Sequence, residues 1–179
     1  MVHQAEFEIE TSGHGHGQDI TEHVARLVAD SGVRKGTTHV FNVGSTAAIG
    51  TIEFEAGLER DLPELLDRLI PPSRQYGHEQ AWRDGNGHSH LQATWLGPSV
   101  TVPISEGQLV LGTWQQIFHL EGGSLKQRIL QLLGNNYNAR IVSVKEETDY
   151  LNVYGFIGKP ETAKKTRGDQ YFFVIQRMP

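Results

Sequence analysis

From Ser99 to Ile117 the chain reads SVTVPISEGQLVLGTWQQI, and this stretch constrains the fold more than any other. Apolar and polar residues alternate over Val100–Ile104 and again over Leu109–Leu111. Ser105-Glu106-Gly107-Gln108 joins the two runs as a glycine-containing turn of hairpin length. A β-hairpin needs no more than the alternation and the turn. The Gly112-Thr113-Trp114-Gln115 run at its end is specificity that a hairpin does not require.

The surrounding elements are strands mixed with helices. Val2–Thr11 alternates and reads as a strand, and Ser12–Gln18 reads as a glycine-rich turn with solvated His14 and His16 rather than a metal site. Asp19 caps a helix whose apolar face is Ile20, Val24, Leu27 and Val28, with Gly32 as its stop. His39–Val43 and Ala47–Phe54 read as strands, and Asp61–Ile70 as a helix with Pro63 in its first turn. Ser73–Gly87 is a long polar connection of the kind that carries function.

Length and composition narrow the function classes. With 179 residues, 37% of them hydrophobic, the chain can bury one domain, or one domain plus a fragment. A net charge of −5 gives no general reason to expect nucleic-acid binding. There is no cysteine, no apolar run of membrane-spanning length and no signal-peptide core, so the expected location is cytoplasmic, with no membrane partner.

The titratable residues cluster. His78, His88 and His90 stand within thirteen residues, with Glu79 and Asp84 between them. Their spacing permits a metal site of neutral imidazoles. Asn86 as a cap, Leu91 and Trp95 at helical spacing, and the Gly97-Pro98 stop predict a helix here. Residues two apart on a helix do not face each other, so His88 becomes accessory. His90 then lies in the first turn, where free N–H groups favour phosphate, and His78 approaches from the loop. Gly44-Ser45-Thr46 forms a short turn able to offer backbone N–H groups and hydroxyls to an anion. Glu53 and Glu55, two apart on an expected strand, share a face as a carboxylate pair. Trp82, Trp95 and Trp114 could each stack on a heterocycle; Trp95, at helical spacing, reads rather as core, and Trp114 is the one inside a motif.

Several of these residues fall in one family's order. Gly44-Ser45-Thr46-Ala47-Ala48-Ile49 with Glu53, His78-Glu79, Asp84 to His90, and Gly107 followed by Gly112 to Gln115 resemble the YjbQ family, small proteins usually described as secondary thiamine-phosphate synthases. Many members carry histidine where this chain has Gly44. The resemblance implies an α+β, strand-rich fold, a homotrimer with sites near subunit interfaces, and coupling of a pyrimidine diphosphate to a thiazole phosphate. It further implies a small phosphorylated heterocycle as partner, bound at Gly44, Ser45 and Thr46. His78, His90 and Glu53 would be catalytic, with Trp114 and Gln115 shaping the pocket. A divalent metal, zinc or magnesium, would sit on His78, His88 and His90.

That resemblance covers residues 1–121. Gly122-Gly123-Ser124 reads as a flexible joint, and 125–179 as a new unit with a helix over Leu125–Leu133 and strands over Ala139–Val144, Leu151–Ile157 and Tyr171–Gln176. Val153 to Pro160 and Arg167 to Val174 resemble the transducer domain of MutL-type mismatch-repair proteins. The ATP-binding part is absent, so no repair activity is implied, and Lys159, Lys164, Lys165 and Arg167 read as a solvated basic loop. Two families in one chain suggest a chimera in which a tail strand fills a host sheet edge. A non-catalytic engineered chimera is the alternative to the enzyme.

Overall fold

The computed structural model describes residues 2–72, 75–82, 84–124, 140–147 and 152–159. The chain divides into two compact units, Met1–Asn135 and Asn136–Pro179. The first is α+β, as expected. Its elements in order are β1 (His16–Asp19), α1 (Thr21–Asp30), β2 (Lys35–Phe41), β3 (Ala47–Ile52), α2 (Ala56–Leu69), α3 (Gly77–Ala81), α4 (Gly87–Leu96), β4 (Ser99–Ser105), β5 (Gln108–Leu109) and β6 (Gln116–Glu121). They build two antiparallel three-stranded sheets, β1-β6-β3 and β2-β4-β5.

β6 is the hub because both of its faces are covered. Strand alternation puts Ile117, His119 and Glu121 on one face and Phe118 and Leu120 on the other. Ile117 joins Ile20 just before α1, Val24 and Val28 of α1, Ile49 of β3, and Val102 and Ile104 of β4. Phe118 and Leu120 pack with Leu66 of α2. Gly50 faces Phe118, and a Cβ there would stand 2.7 Å from the ring. The expected hairpin is β4–β5, with a tighter turn than expected: Glu106 and Gly107 at φ 51° and 80°, the positive pair that a two-residue turn demands.

Pattern was overridden in two places. Val2–Thr11 forms no strand; Ile9 packs on the core and Phe7 stacks on His23. The first strand lies instead in the glycine-rich run, where β6 offers an edge. Likewise, β3 ends at Ile52 and α2 begins earlier than expected. Glu55 is its N-cap, with its carboxylate accepting from Gly57 N at 2.7 Å and Leu58 N at 2.6 Å. Those two N–H bonds hold the Glu55 carboxyl below its usual range. Glu55 is therefore a cap rather than half of a strand-face carboxylate pair, and Pro63 stands inside the helix.

In the second unit β7 (Ile141–Glu147) and β8 (Asn152–Gly158) pair antiparallel, matching two of the expected strands. The helix over Leu125–Leu133 and the strand over Tyr171–Gln176 lie outside the described residues, and with them the expected filling of a host sheet edge. No helix among the described residues is long and apolar enough to cross a membrane.

Candidate functional site

The histidine segment folds as a helical corner. α4 begins directly after Asn86, as expected, but the Asn86 side chain makes no capping bond. Its Oδ1 is buried without a hydrogen-bond partner. The cap comes from α3: the Glu79 carboxylate accepts from Gly85 N at 2.7 Å and Gly87 N at 2.9 Å. An internal anion thus occupies the place where a helix start attracts one. A Cβ on Gly87 would stand 2.8 Å from Tyr76 Cβ and 3.1 Å from Glu79 Oε1, so the glycine is what lets the two elements close.

This corner brings His78 and His90 together, with ring centroids 4.7 Å apart and planes tilted by 54°. Their surroundings differ. His78 Nε2 lies 3.4 Å from Asp84 Oδ1, ion-pair reach but long for a hydrogen bond. His90 Nδ1 is 3.0 Å from the Ser45 carbonyl oxygen. A carbonyl only accepts, so Nδ1 carries the proton and Nε2 keeps its lone pair in the neutral ring. Ser45 is therefore at the histidines, through its backbone, and its side chain is exposed.

The remaining expected site residues go elsewhere. Gly44 and Thr46 flank Ser45, yet Thr46 Oγ1 donates to Glu121 Oε1 at 3.0 Å and its carbonyl accepts Gly122 N at 2.8 Å. Trp114 and Gln115 lie in the turn before β6, and Gln115 donates to Thr51 Oγ1 at 3.0 Å. That turn and Glu53 stand at the Ile52 end of the sheet, whereas Ser45 precedes the Ala47 end. The six residues of β3 put roughly 20 Å between the two groups. The three-histidine metal centre does not form. His88 turns away into the interior, and among the described residues no group of three or more His, Cys, Asp or Glu is arranged to hold a metal.

His88 belongs to a buried network that sequence reasoning missed. Its ring meets His14 edge-on at 5.0 Å, and Ser89 Oγ lies 3.2 Å from its Nε2. His14 is not solvated: Nδ1 donates to the Gly122 carbonyl at 2.8 Å, and Nε2 meets Asp67 at 2.9 and 3.1 Å. Gln92 adds a 3.0 Å bond to the same Asp67 carboxylate. Gly122 also accepts from Ser89 Oγ, and Gly122 and Gly123 are buried, so the expected flexible joint starts as part of the packed unit. No local pattern marks His14, because its partners are 53 and 108 residues away.

Burial, and next the neighbouring His14, push the His88 imidazole below its usual value, while Asp67, Glu79 and the Gly85 backbone pull the other way. A histidine with a lowered folded pKa binds fewer protons folded than unfolded. Its stabilising contribution is whole above the unfolded value of about 6.5 and is lost as pH falls toward the folded one. The thermal midpoint of the wild type is expected to drop below pH 6.5 more steeply than that of His88→Gln. Parallel curves would show that His88 contributes no proton uptake to unfolding.

Comparison with known proteins places this geometry. The profile of a family described as UPF0047 protein YjbQ-like matches residues 5–135. A UPF0047 protein of Methanothermobacter thermautotrophicus is 40% identical over 120 residues, covering 67% of this chain and 82% of that one. A solved YbjQ-like protein of unknown function from Sulfolobus solfataricus superposes with a TM-score of 0.58 at 40% identity, over 61% of this chain and 78% of that one. An uncharacterised YjbQ/UPF0047 protein from Clostridium acetobutylicum gives 0.56 at 35% identity, over 61% and 82%. A mismatch-repair protein MutL of Flavobacterium psychrophilum is 44% identical over 62 residues, 35% of this chain but 10% of MutL. These relatives overturn the expected thiamine-phosphate synthesis: their descriptions give no function, and the transferase, metal-binding and trimer readings implied with it fall as well. By the extent of the profile match and the identity to its relatives, the chain belongs to the YjbQ-like UPF0047 family.

Proposed function

We propose that the His78–His90 corner is an acid–base site for a small phosphorylated heterocycle. The observation that carries this reading is the pairing of two imidazoles 4.7 Å apart in unlike settings. His78 has a carboxylate beside it, from Asp84, and serves as the acid. His90, with Nδ1 tied to Ser45, presents Nε2 as the base. Exposed Ser45 offers a hydroxyl to a phosphate at the same place, and Trp82, 58% exposed just after α3, offers an indole face to a ring. The test is a titration of the protein with inorganic phosphate and then a heteroaromatic phosphomonoester, read by NMR on the histidine rings. The His78 and His90 resonances are expected to move together, and more for the ester. Unmoved rings at tens of millimolar ligand would overturn the reading.

We further infer that the chain is a chimera of a YjbQ-like unit and a MutL-like segment. Its two kinds of relatives and its two compact units support this. Residues 1–135 made alone are then expected to keep the histidine ring resonances of the full chain. A collapsed or shifted spectrum would make the two parts one folding unit.

A further inference from the structure

The acid–base reading requires the proton of neutral His90 to stay on Nδ1, and the Ser45 carbonyl is the acceptor that holds it there. Histidine in water prefers its proton on Nε2, so the direction of that one carbonyl decides which nitrogen is basic. Ser45 sits in an exposed turn between β2 and β3, a poor place to fix a peptide plane unless something anchors both sides.

Both sides are anchored. On the Thr46 side, the hydroxyl donates to Glu121 and the carbonyl accepts from Gly122 N. On the Gly44 side the anchor is Asn42. Its Nδ2 donates to the Gly44 carbonyl at 3.2 Å, and its own carbonyl accepts Gly44 N at 3.1 Å. The Asn42 amide is itself oriented from the interior: His119, 4% exposed on the β6 hub, donates from Nε2 to Asn42 Oδ1 at 3.3 Å. Asn42 N is pinned in turn to the Pro98 carbonyl at 2.8 Å, just past the end of α4. The glycine at position 44 is part of the device. A Cβ there would stand 3.1 Å from Asn42 Nδ2, so a side chain would crowd the amide that tucks under the turn.

We propose that Asn42, oriented by His119, is a positioning residue that sets the Ser45 carbonyl and through it the tautomer of His90. The donors run one way, from His119 Nε2 through the Asn42 carboxamide to the Gly44 peptide, which leaves the Ser45 oxygen turned toward α4. This inference rests on the acid–base reading for its purpose, but its geometry can be measured without a substrate.

The experiment is nitrogen-15 NMR of the histidine rings in the full chain, with Asn42→Ala, His119→Leu and His119→Gln variants. Gln retains a donor near the position of Nε2, whereas Leu fills the space without one. In the wild type at a pH where His90 is neutral, the Nδ1–H form is expected to dominate. In Asn42→Ala and His119→Leu the ratio of Nε2–H to Nδ1–H at His90 is expected to rise at least tenfold, and His119→Gln to restore it. A His90 tautomer that ignores Asn42→Ala, in a variant whose other resonances show it folded, overturns the proposal. Equal effects of Leu and Gln at position 119 overturn the part assigned to His119. Failure of the acid–base reading would look different: the tautomer would respond as described while no phosphorylated ligand moved the rings.

Discussion

Gly122→Ala is expected to cost about 3 kcal/mol and to lower the melting temperature by roughly 10 °C. The Cβ would stand 2.6 Å from the Thr46 carbonyl oxygen, closer than real side chains come, and a tight 3.3 Å from Ser89 Cβ. Neither neighbour can swing aside. The Thr46 oxygen is backbone, and the Gly122 N–H bonds to it at 2.8 Å, so relief must stretch the bond that closes β3 against the end of β6. The same movement pulls the Gly122 carbonyl from His14 Nδ1 and Ser89 Oγ. Each buried polar group left without its partner adds about 1–3 kcal/mol to the steric cost. Gly123→Ala is the control. Its Cβ would meet Glu121 Oε1 at 3.0 Å and Thr46 Oγ1 at 3.2 Å, both at the ends of side chains. Its cost should stay under about 1 kcal/mol. Equal melting of the two variants would show that the Gly122 closure does not bear on stability.

That contrast also shows where the sequence misleads. Gly-Gly-Ser reads as a joint because glycine is cheap to bend. At Gly122 the residue serves close approach instead, and only the partners across the fold, Thr46 and Ser89, reveal it. The elements that were legible are those with local causes: the β4–β5 alternation, the α1 stripe, and the α4 start and Gly97-Pro98 stop. The failures share a cause of another kind. β1 formed in a glycine run because β6 presented an unpaired edge, and Val2–Thr11 alternates without finding such an edge.

The site divides in the same way. His78 and His90 were legible as a pair because the start of α4 and the corner before it bring them together, whereas Ser45, 45 residues from His90, was grouped with them by resemblance. Glu53, Trp114 and Gln115 were grouped with them by resemblance, yet a strand's length separates them in the chain itself. Asn42 and His119 carried no signal, since neither stands in a motif and their link spans 77 residues.

His90→Ala is expected to lower turnover of the first phosphorylated heterocycle that moves both rings by about two to four orders of magnitude. The scale follows from removing a positioned base while leaving the rest of the corner intact. The cap of α4 is Glu79, and its packed face includes Ser89, Gln92 and Ala93. Losing one half-exposed imidazole and its bond to Ser45 should therefore cost less than about 1 kcal/mol of stability. Ligand binding should weaken only several-fold, because the phosphate is held at Ser45 in this reading. Large loss of rate with small loss of binding is the signature of a group used in the transition state. His78→Gln tests the other half of the pair. If acid and base act on one proton transfer, the double variant should be little worse than His90→Ala alone. A His90→Ala protein that keeps turnover within tenfold of wild type would remove His90 as the base. The His78–His90 contact would then be packing at a helix corner, with Asp84 serving only to hold the loop.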